Sequence, residues 1–104
     1  MEISDALLAE IKNYLNITWD DAEMDLKIKG IAQRGMARID RWAGRAMDYT
    51  EEGSVKALLF DYVRYGMAEA LEEFTTNYQE EIIELQSDER VKQYVERQTA
   101  APTE

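Results

Sequence analysis

Apolar residues recur at steps of three and four along two long stretches of this chain, and no proline interrupts either stretch. In the first stretch they are Met24, Ile28, Ile31, Ala32, Gly35, Ile39, Trp42 and Ala43. In the second they are Val55, Leu58, Leu59, Tyr62, Val63, Gly66, Ala70 and Phe74. This spacing gathers the residues on one side of an α-helix, whereas a strand alternates its faces at every residue. The pattern therefore predicts two long helices, over about 19–43 and 55–74, that pack through their apolar faces.

Capping residues indicate where the helices begin and end. Ser4 is a suitable N-cap for a first short helix over about 5–15, and Thr18 for the first long helix. Gly44 suits a left-handed ending of that helix, and Ser54 suits the start of the next. We expect Trp19 to pack at a helix start, Gly35 to allow close approach of another helix, and Tyr49 to anchor the intervening loop.

In the C-terminal third of the chain, the sequence predicts shorter and less apolar helices. Thr75, Thr76 and Asn77 form a polar interruption with Asn77 as the next cap, and helix resumes at Tyr78. A weakly amphipathic stretch around Val91–Val95 follows a polar patch at 86–89. The chain length of 104 residues suits one domain. We predict a single all-α domain over 1–97, a small bundle of about four helices with two long central helices, and a flexible, disordered C-terminal tail over 98–104.

The composition excludes several kinds of chemistry. The chain contains neither histidine nor cysteine, which removes the commonest general base, thiolate nucleophiles and the commonest zinc ligands. Its carboxylates lie at a helix start or on solvated helix faces, and no phosphate-binding glycine loop is present. We therefore expect no catalytic residues, no cofactor and no metal, although an enzyme using carboxylates alone stays a third hypothesis. No apolar run is long enough to predict a membrane span or a signal core.

The charged residues are distributed unevenly, and the formal net charge is −10. Four arginines recur at steps of 4, 3 and 4 and form a stripe along the second predicted helix: Arg34, Arg38, Arg41 and Arg45. No basic residue lies between Arg64 and Arg90, and we single out three acidic residues in that interval: Glu80, Glu81 and Glu84. Tyr65 adds an aromatic residue of the type enriched at interfaces. Complementary charge orients partners, so these residues form the candidate subunit or partner interface. Alternatively, both charged surfaces pair within the monomer or face water.

Three segments resemble a known family in the same order along the chain. They are residues 11–21, IKNYLNITWDD; residues 58–65, LLFDYVRY; and residues 72–85, from Glu72-Glu73-Phe74 through Ile82-Ile83-Glu84-Leu85. Together they are similar to head–tail connector proteins of long-tailed bacteriophages, also called adaptor or head-completion proteins. The resemblance covers roughly residues 11 to 85, and it carries over no catalytic residue.

The resemblance implies a structural role and a set of partners. Such a protein docks as a ring of twelve copies under the portal protein, seals the DNA-filled capsid, and joins the next neck or tail component. DNA passes through the ring, and acidic walls suit this passage because they repel phosphates. The expected location is the host cytoplasm during assembly and the neck of the mature virion. The alternative is a small acidic helical regulator that binds a basic partner protein.

Overall fold

The computed structural model describes residues 3–100, and within that range it contains helices and no strands. The α-helices are α1 (Asp5–Tyr14), α2 (Ala22–Ala43), α3 (Ser54–Met67), α4 (Phe74–Asn77) and α5 (Gln79–Ala100), with a 3-10 turn at Leu71–Glu73. The all-α class and the small bundle are confirmed. Residues 3–100 contain five α-helices rather than about four, because the segment after α3 divides into separate pieces.

Helices α2 and α3 form the centre of the bundle, as their periodicity predicts. A Cβ atom added at Gly35 of α2 would lie 2.6 Å from Tyr62 Cδ1 and 3.1 Å from Leu59 Cδ1 on α3. Gly66 of α3 plays the reciprocal part, since its Cβ would lie 2.6 Å from Ile31 Cγ2. The two helices therefore pack at a separation that only glycine allows at both positions.

Two of the five predicted caps are confirmed, and the other three, Thr18, Ser54 and Asn77, are wrong. The Ser4 hydroxyl accepts a hydrogen bond from Leu7 N, and Gly44 ends α2 with a φ of 86°. Thr18 is not a cap: Asp21 is, and its carboxylate accepts from Glu23 N and Met24 N. Helix α2 therefore starts three residues later than predicted, and Trp19 is exposed instead of packed at a helix start.

The start and the end of α3 also differ from prediction. The residue before α3 is Gly53, and no side chain caps this helix, so Ser54 is its first residue and not its cap. Helix α3 ends at Met67, because Glu69 adopts a left-handed φ of 57°. Ala70 N then donates to Tyr65 O and Glu69 N to Gly66 O, the two hydrogen bonds of a Schellman ending. Glycine usually occupies that position, so the sequence carries no sign of the ending.

The loop between α2 and α3 is tied to the core by Tyr49, as predicted. Its ring is buried, and its hydroxyl donates to Met36 O at 3.1 Å and lies 2.6 Å from Asp40 Oδ1. The same Asp40 oxygen accepts from Met47 N at 3.0 Å. Burial is the main reason why the pKa of Tyr49 is raised, and the Asp40 carboxylate adds to this effect.

Helix α5 extends further than the predicted boundary at residue 97. Residues 98–100 are helical, and Thr99 Oγ1 donates to Val95 O at 2.9 Å. No glycine or proline lies between Gln79 and Ala100, which accounts for the unbroken helix. Asn77 does not cap this helix, since it is the last residue of α4. The remainder of the predicted tail, 101–104, lies outside the described residues.

Candidate interaction site

The arginine stripe divides into two kinds of environment in the structure. Arg38 lies over the ring of Trp42, with its guanidinium carbon 5.1 Å from the ring centroid, and 5.9 Å from that of Tyr62. Arg34 and Arg41 are exposed, and neither forms an ion pair with another residue of the 3–100 range. Two of the four arginines thus remain on the outer face of α2.

Arg45 follows the end of α2 and contacts α5 instead. Its Nε donates to Glu89 Oε1 at 2.8 Å, and its Nη1 lies 3.0 and 3.1 Å from the two oxygens of Glu96. These bonds, first from Glu96 and then from Glu89, raise the pKa of Arg45 above its ordinary value. Glu89 is only 1% exposed, and Lys92 Nζ lies 3.3 Å from its second oxygen. This network joins α5 to the end of α2.

Tyr65 is half-buried in an aromatic cluster between α3, α4 and α5. Its ring lies edge-on to Phe74 and to Tyr78, with centroids 5.5 Å away in each case. Phe74 is fully buried and stacks on Tyr78 at 4.6 Å and on Trp42 at 6.3 Å. The Tyr65 hydroxyl accepts a hydrogen bond from Asn77 at 2.9 Å. The cluster secures the turn between α3 and α5, and Tyr65 keeps one edge at the surface.

Two of the three predicted glutamates line a groove of about 410 Å³ between α3 and α5. The α3 wall consists of residues at helical spacing: Ser54, Ala57, Leu58 and Asp61. The α5 wall has the same kind of spacing: Glu81, Glu84, Leu85 and Asp88. Val55 and Tyr78 complete the lining, and Glu80 lies outside it. Hereafter the groove means this site. Asp61 and Asp88 are additions that the charge pattern alone does not select, because their position depends on how α3 and α5 meet.

The carboxylates of the groove differ in their partners. Asp61 accepts a hydrogen bond from Tyr14 and lies 3.6 Å from Arg64 Nη2. Glu81, Glu84 and Asp88 form no ion pair within the described part of the chain. Burial raises the pKa of the neighbouring Tyr78 phenol to about 12. The groove is therefore an acidic site with an apolar floor.

A second concave site, of about 390 Å³, lies between α1 and α3 around Lys56. The Lys56 side chain is buried, and its Nζ lies 2.7 Å from Glu10 Oε2 and 2.9 Å from Glu52 Oε2. The bonds to Glu10 and Glu52 raise the pKa of Lys56 above its ordinary value. Because two carboxylates already satisfy this ammonium group, the contact joins α1 to α3 and serves a structural purpose.

The C-terminal half of α5 carries exposed apolar side chains. Val91 is 62% exposed, Tyr94 57% and Val95 52%. The last attachments of α5 to the body are Gln93, whose Nε2 lies 3.4 Å from Ala43 O, and the pair of Glu96 with Arg45. Hereafter the arm means residues 90–100. It presents an apolar stripe on the side of α5 that faces away from α2.

Neither metal nor membrane features are found in the described range. Within residues 3–100, no group of three or more carboxylates is placed to hold a metal ion. No helix in that range is both long enough and apolar enough to cross a bilayer.

Fold and surfaces together define a small all-α protein with an acidic groove and an amphipathic arm. Comparisons with protein-family models, curated proteins and solved structures find no match for this chain.

Proposed function

We propose that this protein is a structural head–tail connector of a tailed bacteriophage. In this role it docks as a ring under the portal protein, seals the DNA-filled capsid and joins the next neck or tail component. The exposed apolar surface of the arm is the observation that supports a structural role. Val91, Tyr94 and Val95 expose an apolar stripe on α5 that its own bundle does not cover. Exposed apolar stripes of this kind are typical of protein–protein contacts.

The assignment to a phage neck rests on the sequence resemblance over residues 11–85. The structural elements within that range are consistent with a compact docking module. The resembling segment at residues 11–21 includes Lys12, which joins α1 to α2 through contacts of 3.0 Å with Asp25 and 3.6 Å with Asp20. The segment at 58–65 supplies Leu59 and Tyr62 to the central packing. The resembling residues thus build the core that would hold the exposed surfaces in place.

The charge of the chain supports transit of DNA. A net charge of −10 gives the surface a predominantly negative potential. DNA binding requires basic side chains that displace counterions from phosphates. A ring of such subunits would repel the DNA backbone and let the duplex slide through without adhering.

A second candidate function is a small acidic regulator that occupies a basic surface on a partner protein. The groove favours this alternative, because Glu81, Glu84 and Asp88 lie beside an apolar floor without an ion-pair partner in the 3–100 range. Portal, capsid and tail genes next to this gene would favour the connector, and their absence would favour the regulator.

The decisive experiment is electron microscopy of lysates from a phage that lacks this gene. The connector role predicts full-length tails beside separate heads that have lost DNA. Supplying the intact gene in trans should restore joined virions. A matched variant, Val91→Asp with Tyr94→Asp, should fail to restore them while keeping native helicity. Joined, infectious virions in the absence of the gene would refute the connector role and leave the regulator as the better account.

A further inference from the structure

The groove has the chemistry of a receptor for an amphipathic and basic helix. Leu58 and Leu85 are the buried members of the two walls and form the apolar floor, and Glu81, Glu84 and Asp88 lie along the α5 side. Like charges at this spacing repel one another until a cation lies among them. An occupant that supplies both apolar side chains and arginines would satisfy the floor and the wall together.

The arm has the complementary chemistry. Val91, Tyr94 and Val95 follow one another at helical spacing, and Arg90 and Arg97 lie four residues before Tyr94 and three after it. Both arginines are exposed, and neither pairs with a carboxylate in the part of the chain that the structure describes. The arm therefore presents an apolar stripe flanked by two unpaired cations.

The two surfaces also match in length. The α3 wall runs from Ser54 to Asp61 and the α5 wall from Glu81 to Asp88, which is eight residues, or seven steps along the helix, in each case. At 1.5 Å per residue each wall is about 10 Å long. The arm from Arg90 to Arg97, which contains the apolar stripe, also spans seven steps and covers about 10 Å. Two helical turns of the arm thus fill the groove from end to end, in the manner of a helix-in-groove contact.

We propose that the arm of one copy docks into the groove of a second copy of this chain. A copy does not fill its own groove, because the arm and the α5 wall belong to one unbroken helix from Gln79 to Ala100. Each copy offers one arm and one groove, so the contact is heterologous and joins copies head to tail. The inference specifies the subunit contact of the connector, and it rests on the proposed function for the place of the assembly in the virion.

Disulfide trapping tests the contact directly, since the chain contains no cysteine. Val95→Cys marks the arm, and Ala57→Cys marks the groove on a copy with a larger tag. After mixing and mild oxidation, we expect a band of the mixed dimer on a non-reducing gel, because a disulfide forms only when the Cα atoms lie within about 7 Å. The matched control replaces Val95→Cys by Ala37→Cys, an exposed position on α2 between Arg34 and Arg41.

Charge reversal provides a second, independent test of the contact. Arg90→Glu with Arg97→Glu, or Glu81→Arg with Glu84→Arg, should each lower the yield of the mixed dimer about tenfold. Combining the reversed arm with the reversed groove should restore it. All variants carry exposed substitutions, and circular dichroism checks that they keep the native helicity.

The outcomes separate the possible occupants of the groove. Trapping of Ala37→Cys instead of Val95→Cys would assign the groove to the outer face of α2 and overturn the proposal. Absence of any mixed dimer at high protein concentration would show that the arm does not dock on a second copy. In that case the connector role would still stand or fall on the phage lysates, which report on the virion and not on this contact.

Discussion

Replacing glycine by alanine should have opposite effects on stability at two positions of helix α2. At Gly35 an added Cβ would lie 2.6 Å from Tyr62 Cδ1 and 3.1 Å from Leu59 Cδ1. At Gly30 it would meet only the Arg34 side chain, 3.4 Å from Nη1. The first environment consists of a buried ring and a buried leucine that have no room to move. The second is the mobile end of an exposed side chain.

The magnitudes follow from two opposing contributions. Replacing an interior helical glycine by alanine stabilises a helix by about 1 kcal/mol. Gly30→Ala should realise this gain nearly in full. Gly35→Ala gains the same amount, but forcing an extra methyl group into a close-packed contact costs about 1–3 kcal/mol. The propensity contribution cancels between the two variants, so the difference in their unfolding free energies measures the packing cost of the α2–α3 contact.

Urea denaturation followed by circular dichroism at 222 nm measures both variants against the parent chain. We expect Gly30→Ala to raise the free energy of unfolding and Gly35→Ala to lower it, with unchanged m-values. Equal stabilisation by both substitutions would refute the argument, because it would mean that α2 and α3 leave room for a Cβ atom at position 35.

Three further predictions concern the caps, the buried carboxylate and the aromatic cluster. Arg45→Met should destabilise the fold more than the exposed control Arg41→Met in the same urea assay, because it removes the main partner of buried Glu89. Gly44→Ala should cost about 1 kcal/mol, measured as a lower urea midpoint, because its φ of 86° is strained for any residue with a Cβ. The pKa of Tyr78, raised from 10.0 to about 12, makes the folded state hold the phenol proton more tightly, so this stabilisation is present below pH 10 and lost as pH rises towards 12. Tyr78→Phe should therefore reduce the loss of stability in that range, seen by thermal melts at stepped pH.

The central part of the fold could be predicted from the sequence because local and long-range signals agree there. The periodicity of α2 and α3, the glycine at position 35 on the apolar face of α2, and the helix-ending Gly44 can each be recognised within the sequence of a single helix. The end of α3 could not be predicted in this way. Glu69 takes a conformation that usually selects glycine, and the aromatic cluster around buried Phe74 forms only when distant segments meet.

The N-cap of α2 could not be predicted from the sequence either, because Thr18 and Asp21 are both suitable. Both residues are good N-caps, and nothing in the local sequence favours one over the other. In the structure Lys12 on α1 lies 3.0 Å from Asp25 and 3.6 Å from Asp20, so the approach of α1 is part of what positions the start of α2.

The sequence predicts which charged residues share one face of a helix, but it does not predict which of them remain exposed. Arg45 finds its partners Glu89 and Glu96 at sequence separations of 44 and 51 residues, which no helical spacing reveals. Glu89 belongs to a stretch that looks polar and exposed, yet its side chain is buried by this pairing. Regularity along one helix indicates which residues share a face, whereas tertiary contacts decide which of them remain available.

The unbroken course of α5 has a geometric consequence for any assembly built through its two ends. One wall of the groove and the whole arm are fixed to the same 22-residue helix, with no loop between them to absorb a change of angle. The rotation from each subunit to the next is then constrained by the helical twist that separates the groove wall at 81–88 from the arm at 90–100. A fixed rotation repeated many times gives constant curvature, and the circle closes only where that rotation divides a full turn evenly.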